Sequence, residues 1–455
     1  MRAIPTLKIS ISGVRGVIGQ SLTPTLLTRF AQAFGTHSGA GTVVIGRDPR
    51  TSGEMVKHAV IAGLLSSGCR VVDVGMCPVP TVQLQVRHRQ AQGGIAITAS
   101  HNPAEWNALK FVGSNGLFLD SGQARELLDI YHQGDYTKVG GDEIRGTEEV
   151  DGSTDLHIKA ILDVLGPLPK TARPLRAVLD SCNGAGSLVG PKLLAALGAE
   201  IIPINVSPDG SFPRPAEPLP ENLGDLCAAV RQHHADIGFA QDMDADRLAI
   251  VSEQGVPIGE DYTLVLAAMY VLSRERGPVV ANLSSTSALG DVAKSFGCPI
   301  FLTKIGEVNV TDKMEQQNAV IGGEGNGGII YPDLHYGRDA LVGIALFLTH
   351  LAKTKMSALR LRMKYPNYFI SKNKIELTRD INVDKILDYV KKKYKNQPVN
   401  TVDGVRIEFD KEWVHLRKSN TEPIIRIYAE SDMEVKADNL AKKIISDIKE
   451  IVAEK

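Results

Sequence analysis

Ala177-Val178-Leu179-Asp180-Ser181-Cys182-Asn183-Gly184-Ala185-Gly186 is the stretch on which the fold turns. An apolar run of strand length breaks into a loop of small residues, and an alanine- and leucine-rich helical stretch follows. After Gly198 the apolar run Ile201-Ile202-Pro203-Ile204 returns. Apolar runs without polar alternation belong to strands buried on both faces, and a helix between two of them makes a βαβ unit. The same grammar occurs twice more. Val43-Val44-Ile45-Gly46 leads through a helical stretch, Glu54 to Leu65, past Gly68 to Val71-Val72-Asp73-Val74. Val279-Val280-Ala281-Asn282 leads through Ser284-Ser285-Thr286, past Gly297, to Pro299-Ile300-Phe301-Leu302. Three divergent copies imply three related α/β domains.

The last stretch differs in kind. From about Phe369 the chain is lysine-rich and alternating, as in Val405-Arg406-Ile407-Glu408-Phe409 and Ile425-Arg426-Ile427. It closes on Ala437, Leu440, Ala441, Ile444, Ile445, Ile448 and Val452 at helical spacing. A smaller α+β domain with an antiparallel sheet is expected. The expected domains are residues 1–153, 154–257, 258–368 and 369–455. The run Lys391-Lys392-Lys393 ends a helical pattern, where cations suit the negative end of the helix dipole.

Composition narrows the function. The 455 residues carry 51 Lys+Arg against 52 Asp+Glu, a net charge of −1, so no global pull toward nucleic acid or an anionic membrane exists. Hydrophobic residues at 43% and charged residues at 23% describe a globular chain. Five scattered cysteines without a Cys-x-x-Cys pair fit reduced thiols rather than a disulfide scaffold or a thiolate zinc site. The first ten residues lack the apolar core of a signal peptide, and no apolar run approaches the ~20 residues that span a bilayer. A cytoplasmic protein is expected. The 43 glycines, about 9% against a usual ~7%, imply loops where backbones approach closely.

Four loops hold residues that can carry chemistry. In Gly94-Ile95-Ala96-Ile97-Thr98-Ala99-Ser100-His101-Asn102-Pro103 the strand pattern ends at Thr98. Ser100 therefore falls just beyond a strand's carboxyl end, where open α/β sheets bind ligands. No Gly-x-Ser-x-Gly elbow surrounds it, which argues against an α/β-hydrolase. In Asp242-Met243-Asp244-Ala245-Asp246-Arg247, between apolar strands, alternation would put the three carboxylates on one side of an extended segment. Three such charges call for a cation, and an all-oxygen set suits Mg²⁺. An EF-hand loop fails because its sixth position needs glycine and holds Arg247. In Gly322-Gly323-Glu324-Gly325-Asn326-Gly327-Gly328, Glu324 and Asn326 could present an acceptor and an amide to sugar hydroxyls. Asn326-Gly327 is equally a hairpin-turn signal. In Arg417-Lys418-Ser419-Asn420-Thr421-Glu422-Pro423, with Arg426 beyond, guanidiniums, hydroxyls and amides could surround a phosphate. Taken singly, each loop also fits a plain turn. Ser12-Gly13-Val14-Arg15-Gly16 and Gly46-Arg47-Asp48-Pro49-Arg50 add arginines in glycine-bearing loops.

Taken in order, the loops resemble those of the α-D-phosphohexomutase family: phosphoglucomutases, phosphomannomutases and phosphoglucosamine mutases. The match runs from Gly13-Val14-Arg15-Gly16 through Thr98 to Pro103 with Asn107 and Lys110, the Asp242 cluster and Gly323-Glu324, to Ser419–Pro423 with Arg426. The resemblance implies four domains whose loops meet in a central cleft. It implies a phosphoserine at Ser100, and Mg²⁺ held by Ser100, Asp242, Asp244 and Asp246. Arg15, His101 and Lys110 would assist catalysis. Arg247, Glu324, Asn326, Arg417, Ser419, Asn420, Thr421 and Arg426 would bind substrate. The reaction implied is phosphoryl transfer between the 1- and 6-positions of a hexose phosphate, with a hexose 1,6-bisphosphate as intermediate and activator, in a monomer or homodimer.

The pattern also departs from the family. Many bacterial phosphomannomutase/phosphoglucomutases have serine and histidine where this chain has Asn326 and Gly328, so Lys110 or His101 would have to move the proton. The Glu324-Gly325-Asn326-Gly327-Gly328 form is similar to archaeal-type phosphoglucosamine mutases, which points to glucosamine phosphate ahead of mannose or glucose phosphate. In the phosphate loop, Asn420 stands where common bacterial phosphoglucosamine mutases usually have glycine. The readings from other classes are a non-catalytic phosphosugar-binding protein and a Mg²⁺-dependent phosphatase using Ser100.

Overall fold

The computed structural model describes residues 6–10, 13–376, 383–418 and 424–453. It falls into two units, residues 1–263 with 326–359 and residues 264–325 with 360–455.

The first unit opens on a seven-stranded mixed sheet. Its order is Lys8–Ser10, Gly13–Val17, Trp106–Gly113, Gly93–Ile97, Thr42–Arg47, Arg70–Met76, Thr147–Glu149. Thr42–Arg47 lies parallel to both Arg70–Met76 and Gly93–Ile97. Val43, Ile45, Ile95 and Ile97 enter one core with Phe30, Phe34 and Leu64, while Val44 and Ala96 enter another with Val82 and Val86. Both faces are thus covered by helices, which is why these strands read as apolar runs. Each buried Val or Ile side chain contributes roughly 1.5–3 kcal/mol.

The second sheet contains the stretch quoted first. Arg176–Asp180 and Glu200–Ile204 are parallel, joined through the helix Gly186–Leu197. Ile237–Gln241 adds in parallel on the other side of Arg176–Asp180, and Leu248–Ser252 pairs antiparallel with it, Gln241 opposite Leu248. One expectation is corrected here. The segment from Asp242 to Arg247 is the loop of this hairpin, not an extended strand, and strand alternation does not gather its carboxylates. Ala245 takes a left-handed conformation (φ 53°), and Asp242 Oδ1 accepts the N–H groups of Asp246 and Arg247, both at 3.2 Å. A tight turn closed by the first aspartate brings the others around to it.

The glycine loop of the same repeat explains its own composition. Ala185 N–H donates to the Met243 carbonyl at 2.7 Å, and a Cβ on Gly184 would lie 2.6 Å from that oxygen. The backbone of one loop supports the other, and only glycine leaves the room. The unit is completed by the antiparallel strands Gly328–Tyr331 and His335–Arg338 and by the helix Ala340–Thr354, buried almost throughout. Asp339 caps that helix through Oδ1, while its Oδ2 meets His157 Nε2 at 2.8 Å and His335 Nε2 at 3.1 Å.

In the second unit the third repeat forms as read. Val279–Asn282 and Ile300–Thr303 are parallel around the helix Ser287–Ser295, with Ile321–Glu324 parallel on the other side. The C-terminal sheet runs Phe369–Glu376, Ile424–Ser431, Glu412–Lys418, Val405–Phe409, Val399–Asn400, every neighbour antiparallel. The helices Val383–Lys393 and Glu434–Ala453 pack Ile386, Val390, Ile444 and Ile448 on Ile407, Leu416, Ile425 and Ile427. The lysine run does end a helix, and Lys393 is tied to Asp447 at 2.7 Å. The molecule therefore carries three α/β domains and a C-terminal α+β domain with an antiparallel sheet. All five cysteines are free. No helix of the described residues is long and apolar enough to cross a membrane.

Candidate active site

The strand Gly93–Ile97 runs directly into a fully organised loop. Thr98 Oγ1 donates to Asp48 Oδ2 at 2.6 Å and accepts the Ser100 N–H at 3.0 Å. Arg50, 1% exposed, pairs with Asp48 and spreads its guanidinium over the carbonyls of Ser100, Asn102, Pro103 and Trp106 at 2.5–3.0 Å. A guanidinium is the side chain able to satisfy so many acceptors in fixed geometry. The loop so held places Ser100 in the left-handed region (φ 48°), 6% exposed, its Oγ donating to Asp242 Oδ2 at 2.7 Å. A residue held in this conformation by its surroundings is a mark of a functional position.

The aspartate loop is anchored from three sides. Asp244 O accepts from Val79 N, Ala245 O from Ala340 N, and Leu248 N donates to Gly327 O, besides the Met243 contact. Asp242, Asp244 and Asp246 are at most 1% exposed, and one ligand oxygen from each lies within 4.8 Å of the others. Lys110 Nζ sits 2.7 Å from Asp244 Oδ2 and 3.5 Å from Asp246 Oδ2, and Arg338 Nη2 donates to Asp246 Oδ2 at 2.7 Å. Burial and the charges of Asp244 and Asp246 push Asp242 well above the usual carboxylate range. Asp244 is drawn down to about 2, burial opposing and Lys110 prevailing. For Lys110 burial opposes the charge, yet Asp244 and Asp246 hold the ammonium above its usual range.

Two buried oxygens in this cluster, Asp244 Oδ1 and Asp246 Oδ1, have no hydrogen-bond partner. His101 Nδ1 and Arg247 Nε in the same two loops have none either. Other buried polar atoms without a partner, such as Ser187 Oγ, Ser252 Oγ and Glu430 Oε2, are scattered, whereas these four fall in two adjoining loops, and that concentration marks a place for a ligand. Carboxylate oxygens beside a serine hydroxyl fit a hard divalent cation in chemistry and in spacing.

The other expected residues fall as follows. Arg15 Nη1 reaches Asn102 Oδ1 at 3.4 Å, so it does join the serine loop. His101 is lowered to about 2 by burial and the charge of Arg247, and is neutral. Arg247 Nη1 is paired with Glu217 at 2.9 Å. Asn107 is a framework residue, bonded to Ser52. In the glycine-rich loop Glu324 is 4% exposed, and its Oε1 accepts from Asn282 Nδ2 at 3.0 Å and Gly306 N at 2.9 Å. Asn326 Oδ1 closes its own turn onto Gly328 N–H at 3.2 Å. Ser419, Asn420 and Thr421 lie outside the described residues. Arg417 and Arg426 stand directly opposite each other on neighbouring strands, with Lys374 opposite Arg426 on its other side. Like charges facing one another repel, and neighbouring carboxylates offset part of that repulsion here, Asp403 Oδ2 lying 4.0 Å from Arg417 Nη1 and Glu376 Oε1 3.3 Å from Lys374 Nζ.

With this geometry in view, comparison with known proteins is decisive. The chain matches models of all four phosphoglucomutase/phosphomannomutase domains: α/β/α domain I over residues 7–138, domain II over 156–255, domain III over 259–368 and the C-terminal domain over 374–446. The chain belongs to the α-D-phosphohexomutase family. Among phosphohexomutases it is 36% identical over 448 residues to the probable phosphoglucosamine mutase of Methanopyrus kandleri, covering 97% of this chain and 98% of that one. It is 40% identical over 438 residues to the phosphoglucomutase/phosphomannomutase of Thermococcus kodakarensis, covering 93% and 94%. A crystal structure of a phosphoglucomutase/phosphomannomutase family protein from Burkholderia thailandensis superposes with a TM-score of 0.85 at 28% identity, covering 97% and 98%. The protein is thus a hexose-phosphate mutase, an isomerase, similar to archaeal-type phosphoglucosamine mutases.

Sequence reasoning left the roles of Asp48, Arg50, Thr98, Glu217 and Arg338 unread. The Arg47 to Arg50 loop was visible as an arginine-bearing loop, but its purpose depends on carbonyls about fifty residues away.

Proposed function

We propose that this phosphohexomutase interconverts glucosamine 6-phosphate and glucosamine 1-phosphate through a phosphoserine at Ser100. The observation that carries the reading is the buried Ser100 hydroxyl 2.7 Å from Asp242, beside two buried carboxylate oxygens, Asp244 Oδ1 and Asp246 Oδ1, that accept no hydrogen bond. Asp242, Asp244 and Asp246 with the Ser100 oxygen would hold Mg²⁺, which when bound supplies positive charge for the phosphoryl oxygens. The phosphoryl group leaves Ser100 for the free hydroxyl of the hexose phosphate, giving a hexose 1,6-bisphosphate. After the bisphosphate turns, its other phosphoryl group returns to Ser100. The same bisphosphate would serve as activator of unphosphorylated enzyme.

The chain's own residues supply the rest. Lys110 and Arg338, tied to the aspartates, set fixed positive charge beside the reacting group, where preorganised charge is worth most. His101, whose buried Nδ1 has no hydrogen-bond partner, and Lys110, beside Asp244, are the candidates for moving the proton. Arg15 steadies the serine loop and Arg247 stands over the aspartates. Glu324 and Asn326 would read sugar hydroxyls, and Arg417 and Arg426 with Ser419, Asn420 and Thr421 the phosphate. A cytoplasmic setting accords with a metabolic mutase.

The relative named probable phosphoglucosamine mutase supports glucosamine phosphate, and the relative named phosphoglucomutase/phosphomannomutase supports mannose or glucose phosphate as the second reading. The test is kcat/KM for glucosamine, glucose and mannose phosphates on purified protein with Mg²⁺, with inorganic phosphate measured in parallel. Highest kcat/KM for glucosamine phosphate is expected. A higher value for mannose or glucose phosphate would transfer the assignment. Phosphate release without isomerisation would overturn the mutase chemistry.

A further inference from the structure

Gly328 and Arg338 stand on the two antiparallel strands Gly328–Tyr331 and His335–Arg338. A Cβ on Gly328 would lie 2.4 Å from Arg338 Cδ, closer than real contacts permit, and 3.1 Å from its Cγ. The arginine's stem therefore runs through the space that any side chain at 328 would fill. Gly328 has no left-handed φ, so backbone conformation does not require the glycine. At its far end Arg338, 9% exposed, donates from Nη2 to Asp246 Oδ2 at 2.7 Å.

Asp244 and Asp246 are held in related ways. Each gives Oδ2 to a fixed cation at 2.7 Å, Lys110 for Asp244 and Arg338 for Asp246, with Lys110 more distant from Asp246 at 3.5 Å. Each keeps a buried Oδ1 without a hydrogen bond, that of Asp246 lying 3.8 Å from Arg247 Nε. We infer that Arg338 is a positioning residue for the metal centre: it holds Asp246 by one oxygen so that the other faces the cation, and Gly328 is glycine so that Arg338 can pass. The inference rests on the reading that the three aspartates hold a divalent cation. A partner that orients a metal ligand typically changes metal affinity 10–100-fold when removed. The sign of the effect separates positioning from mere proximity. A guanidinium acting only as a nearby charge repels the cation, and its loss would tighten binding. One that orients a ligand weakens binding when lost.

The experiment is Mn²⁺ titration by calorimetry of the full-length protein and of Arg338→Met, Arg338→Lys, Gly328→Ala, the Gly328→Ala/Arg338→Met double variant and Asp244→Asn. Turnover of glucosamine 6-phosphate is followed alongside. Arg338→Met is expected to weaken Mn²⁺ binding about tenfold and to lower kcat with little change in KM. Arg338→Lys should fall between it and the parent. Gly328→Ala should weaken binding similarly, and the double variant should be no worse than Arg338→Met, because both act through one side chain. Unchanged or tighter binding by Arg338→Met, or additive losses in the double variant, would overturn the inference. Should Arg338→Met fail to fold by circular dichroism, parent-like Mn²⁺ affinity in both Gly328→Ala and Arg338→Lys would overturn it equally. If the parent does not bind Mn²⁺, or Asp244→Asn binds as well as the parent, the metal reading itself falls.

Discussion

Ser100 joins strain and burial in one residue, and its environment says how much of it is function. Its Oγ makes a single hydrogen bond, to Asp242, while Arg50 and Thr98 hold its backbone. Ser100→Ala should therefore leave the melting temperature within a few degrees of the parent yet remove almost all mutase activity. Intact mass should show a phosphorylated fraction in the parent and none in the variant, and turnover near the parent value would refute the nucleophile assignment. Arg50 should behave in the opposite way. Removing one partner of a buried ion pair costs roughly 3–5 kcal/mol, because the other charge stays buried. Arg50→Met should lower stability to denaturant by about that amount. Arg50→Lys should not restore it, since an ammonium lacks the planar fork that four carbonyls share here. A parent-like denaturation midpoint for either variant would show that the loop is held by something else.

The loops and strands that carry the remaining site residues predict a division of labour. On the proposed reading, the opposed Arg417 and Arg426 of the C-terminal sheet take the phosphate that every substrate shares, and Asn326, on its turn, takes the hydroxyls or amino group by which the sugars differ. Arg426→Ala should weaken all three hexose phosphates by a similar factor, about ten- to a hundred-fold for a charge-assisted contact worth roughly 1.5–3 kcal/mol. Asn326→Ser should instead reorder glucosamine, glucose and mannose phosphates in kcat/KM, because specificity is a difference between transition-state affinities. The reverse pattern across the sugars would assign the two loops the other way round.

Buried histidines tie stability to pH across both units. His415, between Ser284 Oγ and the Asp403 carbonyl, is lowered to about 4 by burial, with Arg406 and Arg417 adding to it. Burial also lowers His335, though Asp339 opposes it. With folded values below the unfolded ~6.5, the unfolded chain binds the protons first as pH falls. Their contribution is fully present above about pH 6.5 and declines as pH drops toward 4. Asp339, held far below the usual range by the two histidines against the cost of burial, acts in the same direction but at lower pH, its stabilisation being lost only as pH falls below about 4. Melting temperature should accordingly be level between pH 7 and 8 and fall below pH 6.5. His415→Gln should flatten part of that slope. A melting temperature independent of pH from 7 to 4.5 would contradict the burial of these rings.

The sequence by itself determined the three βαβ repeats, because two-sided burial writes itself as apolar runs and the crossover helix as a separate period. It determined the C-terminal antiparallel domain by alternation, and the identity of the serine and aspartate loops by residue type and order. The tertiary structure alone decided how those loops work. Strand alternation suggested the wrong geometry for Asp242, Asp244 and Asp246, since the turn at Ala245 depends on backbone contacts with Val79, Ala185, Gly327 and Ala340. The opposition of Arg417 and Arg426 is a matter of strand register, and the tie between Arg50 and the Ser100 loop spans half a domain. Gly328 shows the limit most plainly. In the chain it is one more glycine in a glycine-rich loop. Only in the fold is its missing side chain seen to be the space that Arg338 occupies, because a cleared volume has no residue to announce it.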